Sequence, residues 1–121
     1  MRWMLVGFGA AFGAMLRLAL AQGLNQVHPF VPLGTLLANL LGGLLMGMVV
    51  GWAGPISPEM RWLLATGFLG GLTTFSTFSA ETFSLLQSGR PVMALALALI
   101  HVTGALLATA LGWWLMQSVQ A

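Results

Sequence analysis

The stretch Gly67-Phe68-Leu69-Gly70-Gly71-Leu72-Thr73-Thr74-Phe75-Ser76-Thr77-Phe78 decides how this chain is to be read, because it sets three glycines, four hydroxyl residues and three phenylalanines inside an apolar segment. That segment, roughly residues 62–86, is long enough to cross a bilayer. Each glycine weakens a helix by about 1 kcal/mol relative to alanine. The hydroxyls of Thr73, Thr74, Ser76, Thr77 and Ser79 compete for backbone partners. The spacing therefore predicts a helix that unwinds near mid-membrane, around Gly70 and Thr73. Unwound backbone survives in lipid only where protein buries it or where it lines a cavity, and the carbonyls it frees suit a hard cation such as sodium.

Working outward, the composition agrees with a membrane setting. Of 121 residues, 59% are hydrophobic and 5% are charged, with a mean hydropathy of +0.96. Soluble domains carry about 25% charged residues, so this is an integral membrane protein. Four apolar spans, roughly 3–24, 33–53, 62–86 and 93–116, each cross a hydrocarbon core of about 30 Å. Short turns rich in proline, glycine and asparagine join them at 25–32, 54–61 and 87–92, leaving a single four-helix transmembrane domain with no room for a soluble one. The first span is about 22 residues long and a second follows almost at once, unlike a signal peptide. The formal charge of +2 rests on four scattered arginines, Arg2, Arg17, Arg61 and Arg90, which make no basic patch for nucleic acid. With no cysteine, disulfides, thiolate metal sites and cysteine nucleophiles are excluded.

An even number of spans puts both termini on one side, and Trp3, Trp52, Trp62, Trp113 and Trp114 fall at span ends facing that side. Arg2 and Arg61 lie there too, Arg90 lies opposite, and Arg17 sits in the half of the first span nearer Arg90. The bias that normally orients a membrane protein is thus close to zero. Either the chain inserts both ways and two copies pair antiparallel about an axis in the membrane plane, or N-terminal charge and insertion order still choose one orientation. Four helices enclose little volume, so a pore or transport site needs a second subunit.

Two spans carry small or polar residues four apart, on one helix face: Gly9, Gly13 and Arg17 in the first, and Thr35, Asn39, Gly43, Gly47 and Gly51 in the second. For the glycines the plain reading is close helix packing. Asn39 lies about two turns inside its span, where an amide without a partner is costly, so it serves either an interhelical hydrogen bond or a polar path. Arg17 either snorkels to the surface or points at protein or a watery vestibule. Glu81 is read as pairing with Arg17 or Arg90, or reaching headgroups, and His101 as a hydrogen-bonded packing residue. Phe75 and Phe78, three apart, share a face beside the hydroxyls, either for packing or for a ligand.

Three motifs resemble the small dual-topology fluoride channels called Fluc or CrcB: Gly-Ala-Met-Leu-Arg at 13–17, Gly-Thr-Leu-Leu-Ala-Asn-Leu-Leu-Gly at 34–42, and the segment at 67–78. The third is the most specific. The resemblance implies an all-α, multi-pass protein of the cytoplasmic membrane, assembled as an antiparallel homodimer with two fluoride pores that export fluoride passively. It implies further that Asn39, Phe75 and Phe78 line the ion path, with Ser76 and Thr77 as hydroxyl contacts and Arg17 as a vestibule arginine. Backbone carbonyls around Gly70 and Thr73 from both subunits would hold a structural sodium ion. Thr103 and Thr109 are the only hydroxyls available for a track on the last span.

The chemistry suits a small, strongly hydrated anion, which sheds water only where hydrogen-bond donors replace it. An asparagine amide, hydroxyls and the positive edges of phenylalanine rings are such donors. Several neutral donors also release the ion, which a buried arginine would not. An enzyme is disfavoured, since Glu59 and Glu81 are the only acids and lie on opposite membrane sides. A small multidrug transporter would carry a carboxylate in mid-span 1, where this chain has none. A purely structural subunit would account for the glycine stripes and leave Asn39 and the hydroxyl and phenylalanine run unused.

Overall fold

Lipid offers backbone groups no hydrogen bonds, so apolar spans of this length fold as helices. The computed structural model, which describes residues 1–121, is helical throughout. Helix α1 is Arg2–Leu24 and α2 is Leu33–Gly51. The third span, Pro58–Gln87, is composite. It begins with the short α3 (Pro58–Met60), continues as a π-helix over Arg61–Leu69 and one more turn, α4 (Gly70–Leu72), and resumes after Thr73 and Thr74 as α5 (Phe75–Gln87). The last helix, α6, is Pro91–Gln120. All four spans are long and apolar enough to cross a membrane, as the hydropathy predicts.

Local chemistry sets the boundaries. Pro58 and Pro91 sit in the first turns of α3 and α6, where the missing N–H costs nothing and φ is already helical. Ser57 Oγ accepts from Met60 N at 3.2 Å, capping α3. Gly89, at φ 75°, takes the left-handed turn that reverses the chain between α5 and α6. These caps extend the third and fourth helices a few residues past the apolar stretches that the sequence marks.

The break in the third span is real and lies slightly further along than the glycines suggest. Gly70 itself is helical, whereas Thr73 (φ −81°, ψ 154°) and Thr74 (φ −148°, ψ 122°) are extended. The glycines serve close approach instead. A Cβ on Gly71 would meet the Ala10 backbone and one on Gly67 would lie 2.8 Å from Val6 O, while Gly9 and Gly13 of α1 face the same seam from the other side. The hydroxyl pair after them makes the break.

A second seam joins α2 to α6. Added Cβ atoms at Gly43 and Gly51 would come within 2.9 Å of Ala105 O and 2.8 Å of Trp113 O, and Gly47 and Gly112 are equally confined. The glycine stripe on α2 is thus a packing face, held by close backbone approach. At the tryptophan end, Gln117 and Gln120 Nε2 both donate to Gly51 O at 3.0 Å. At the other end the Arg90 guanidinium lies 4.3 Å from the centroid of the Phe30 ring. Few side chains are buried, and Trp3, Phe8 and Leu106 are largely exposed, as a lipid-facing surface requires.

Candidate functional site

The break is held open by one side chain. Asn39 Oδ1 accepts from Thr74 N at 2.8 Å, and Asn39 Nδ2 donates to Thr74 O at 3.1 Å. The amide of α2 thereby stands in for a peptide unit and satisfies both backbone groups of the unwound residue. Thr74 in turn caps α5, its Oγ1 accepting from Thr77 N at 3.1 Å. In an uninterrupted helix Thr74 N–H would bond to Gly70 O, so its diversion to Asn39 releases that carbonyl.

His101 of α6 completes the group. Its Nδ1 lies 3.1 Å from Asn39 Nδ2, which can only donate, so Nδ1 accepts and the ring proton sits on Nε2. His101 is 3% exposed and its Nε2 has no partner. The ring stacks obliquely on Phe78 at 4.6 Å, and Phe78 meets Phe75 edge-on at 5.5 Å and 72°. Phe78 is 8% exposed, whereas Phe75 is 77% exposed.

Between these groups runs a cleft of ≈ 410 Å³. Of the residues singled out in the sequence, Asn39, Phe75, Phe78, Gly70, Thr73 and Thr109 line it together. The Thr109 hydroxyl donates to Ala105 O at 2.9 Å, leaving its oxygen as an acceptor toward the cleft. Ser76, Thr77, Thr103 and Arg17 are not among its lining. Ser76 is exposed on α5 with Oγ 3.3 Å from Thr74 Oγ1, Thr77 is engaged through its backbone, and Thr103 is exposed on α6. Arg17 Nε donates to Gly71 O at 3.1 Å, so of its two readings the one that points it at protein holds. It ties α1 to the turn before the break.

One expectation changes and another gains a feature. Glu81 pairs with no arginine: its Oε2 accepts from Thr35 Oγ1 at 3.0 Å, while Thr35 also takes Asn25, with Thr35 N donating to Asn25 Oδ1 at 3.0 Å. The reason is position, since Arg17 is drawn to Gly71 and Arg90 to Phe30. His101, read as a packing residue, is hydrogen-bonded and packed as expected, yet it also lines the cleft. Its spacing of eight from Thr109, two turns on one face of α6, was the available signal.

Chemically the cleft presents two aromatic rings beside the Asn39 amide and the Thr73 and Thr109 hydroxyls, whose hydrogens are already donated within the chain, and no formal charge lines it. The profile of the family described as CrcB-like protein, Camphor Resistance (CrcB), matches residues 4–113. The chain belongs to the CrcB family. Among similar proteins, one from Psychrobacter arcticus is 52% identical over 98% of this chain and 99% of its own length. Another from Pseudomonas putida strain W619 is 56% identical over 88% of this chain and 87% of its own, and one from Ralstonia pickettii is 49% identical over 98% and 96%. Each of the three carries the name fluoride-specific ion channel FluC. Family membership and the four apolar helices make this a multi-pass membrane protein rather than an enzyme.

Proposed function

We propose that this CrcB-family chain is a fluoride channel, which lets fluoride leave the cell passively across the inner membrane. The observation that carries the reading is the cleft at the break, bordered by Asn39 and by the edge-on pair of Phe75 and Phe78 rings, with no formal charge among its lining. Fluoride sheds its water against the positive edges of such rings and leaves them again, because each alone is weak.

The pore is completed by a second, oppositely inserted copy, giving an antiparallel homodimer with two pores. Phe75 is 77% exposed beside its buried partner ring, and a large ring left bare at the mouth of a polar cleft suits a neighbouring protein surface better than lipid. The near-zero arginine bias supports insertion in both directions. In this reading Asn39, Phe75 and Phe78 line the ion path, Thr109 borders it with its proton held by Ala105 O, and Arg17 acts through Gly71 by fixing the turn that precedes the break.

A structural sodium ion belongs to the same reading. Gly70 is exposed, its carbonyl is freed by the diversion of Thr74 N–H, and both Gly70 and Thr73 border the cleft. Uncharged carbonyl oxygens of this kind fit a hard monovalent cation. Bound there, sodium would supply positive charge that holds the freed carbonyls of two subunits together.

The test is ion efflux. Purified protein in potassium-loaded liposomes, given valinomycin, should release fluoride rapidly and retain chloride, as read by ion-selective electrodes. Vesicles that hold folded protein and release neither ion would overturn the reading.

A further inference from the structure

A second cleft opens at the tryptophan-bearing end of the molecule, and the ion path uses none of its polar groups. Its outer part, ≈ 260 Å³, is bordered by Trp52, Ser57, Met60 and Arg61. Its inner part, ≈ 350 Å³, is walled by nine hydrophobic residues, Leu45, Met48, Phe68 and Met116 among them. The two parts share Val49, Trp52, Ile56 and Leu64, so they form one slot between α2 and the π-helix.

Polarity in this slot is graded. At the rim stand a hydroxyl and a cation; below Trp52 there is only hydrocarbon. Leu45 lies seven residues from Trp52, so the apolar bore runs roughly 10 Å along α2 at 1.5 Å per residue. Arg61 is exposed, and no carboxylate borders either part, Glu59 included. A rim tryptophan marks the headgroup level, where amphipathic rings settle. A water-filled vestibule would not be walled by nine apolar side chains, and a soluble apolar solute would leave Arg61 unmatched.

We propose that the slot binds one anionic phospholipid, with its phosphate against Arg61 and an acyl chain between α2 and the π-helix. The cation selects the headgroup and the bore selects the chain. A single arginine near the surface favours an anionic over a zwitterionic lipid by about fivefold.

The test uses Trp52 as reporter. In a variant whose Trp3, Trp62, Trp113 and Trp114 are phenylalanine, reconstituted in phosphatidylcholine, emission is titrated with phosphatidylglycerol brominated near the headgroup and separately with brominated phosphatidylcholine. The expected result is about fivefold tighter quenching by phosphatidylglycerol, abolished by Arg61→Gln and kept in Arg2→Gln, which removes a charge at the same membrane end. Equal quenching by both lipids, or a preference that survives Arg61→Gln, would overturn the proposal. Trp52 shielded from both would show that a second copy of the chain covers the slot and would equally overturn it. Should the four-phenylalanine variant fail to fold, native mass spectrometry of wild type and Arg61→Gln decides the question. Retained phosphatidylglycerol lost on substitution supports the site, and identical lipid retention refutes it.

Discussion

The α2–α6 seam and the break in the third span are built from similar small residues, yet one closes and the other opens. Along the seam, Gly43, Gly47 and Gly51 meet α6 backbone directly, and the helices on both sides stay regular. At the break, Gly70 and Gly71 are helical too, and the chain departs from helix only where Thr73 and Thr74 follow with Asn39 within reach. Glycine by itself therefore does not unwind a membrane helix; it lowers the cost of unwinding where an outside group takes over the backbone's hydrogen bonds.

If that distinction is right, damage to the seam should abolish the fold, and damage at the break should abolish conduction while sparing the fold. The largest effect is expected for Gly47→Leu, whose side chain has no space against Thr109 backbone; it should give no monodisperse protein by size exclusion. Gly7→Leu, at a site where a Cβ meets nothing within 4 Å, should elute and melt as wild type. A folded Gly47→Leu protein would show that the seam is not the anchor.

Next come the rings. Phe75→Ile and Phe78→Ile should each slow fluoride efflux on the order of 100-fold, about 2.7 kcal/mol in barrier, with elution unchanged. Flux at the wild-type rate would return both rings to simple packing. Asn39→Asp sharpens the case further, because it keeps an acceptor for Thr74 N while deleting the amide donors to Thr74 O and His101. Flux should fall at least tenfold. Asn39→Ala should in addition lose about 1–3 kcal/mol of stability through the unpaired Thr74 groups, read as a lower melting temperature. Replacing sodium by a large organic cation should lower the melting temperature of the wild-type protein in detergent, by about 1.4 kcal/mol of lost stabilisation if sodium had been at ten times its dissociation constant. A melting curve indifferent to the cation would count against the carbonyl site. The smallest effect is expected for Arg90→Gln, which removes the cation over Phe30 at a cost of about 0.5–1 kcal/mol and should leave flux untouched.

The sequence made the four spans, the packing role of the glycine stripe and the need of Asn39 for a partner legible, because hydropathy, i, i+4 spacing and the cost of a buried amide are local quantities. That the partner of Asn39 is the unwound Thr74 is visible only in the fold. Other features depend on which helices become neighbours. His101 looked isolated among aliphatic residues of α6, and only the approach of α2 puts Asn39 beside it. Glu81 had two candidate arginines in the sequence, but Thr35 is the group that α2 brings to it. Ser76 and Thr77 shared the motif with Phe75 and Phe78, yet helical rotation places them off the cleft that the rings border.

The π-helix at Arg61–Leu69 has a consequence for how this chain tolerates deletion. A π turn closes its hydrogen bonds over five residues instead of four, so it accommodates more chain per turn than its α-helical neighbours. Losing one residue inside this segment lets it relax toward α-helix, with Thr73, Thr74 and Phe78 kept in phase with Asn39. The same loss inside α5 turns everything beyond it by about 100°, one residue's share of a 3.6-residue turn. Loss of one residue is thus buffered within Arg61–Leu69 and disruptive within α5.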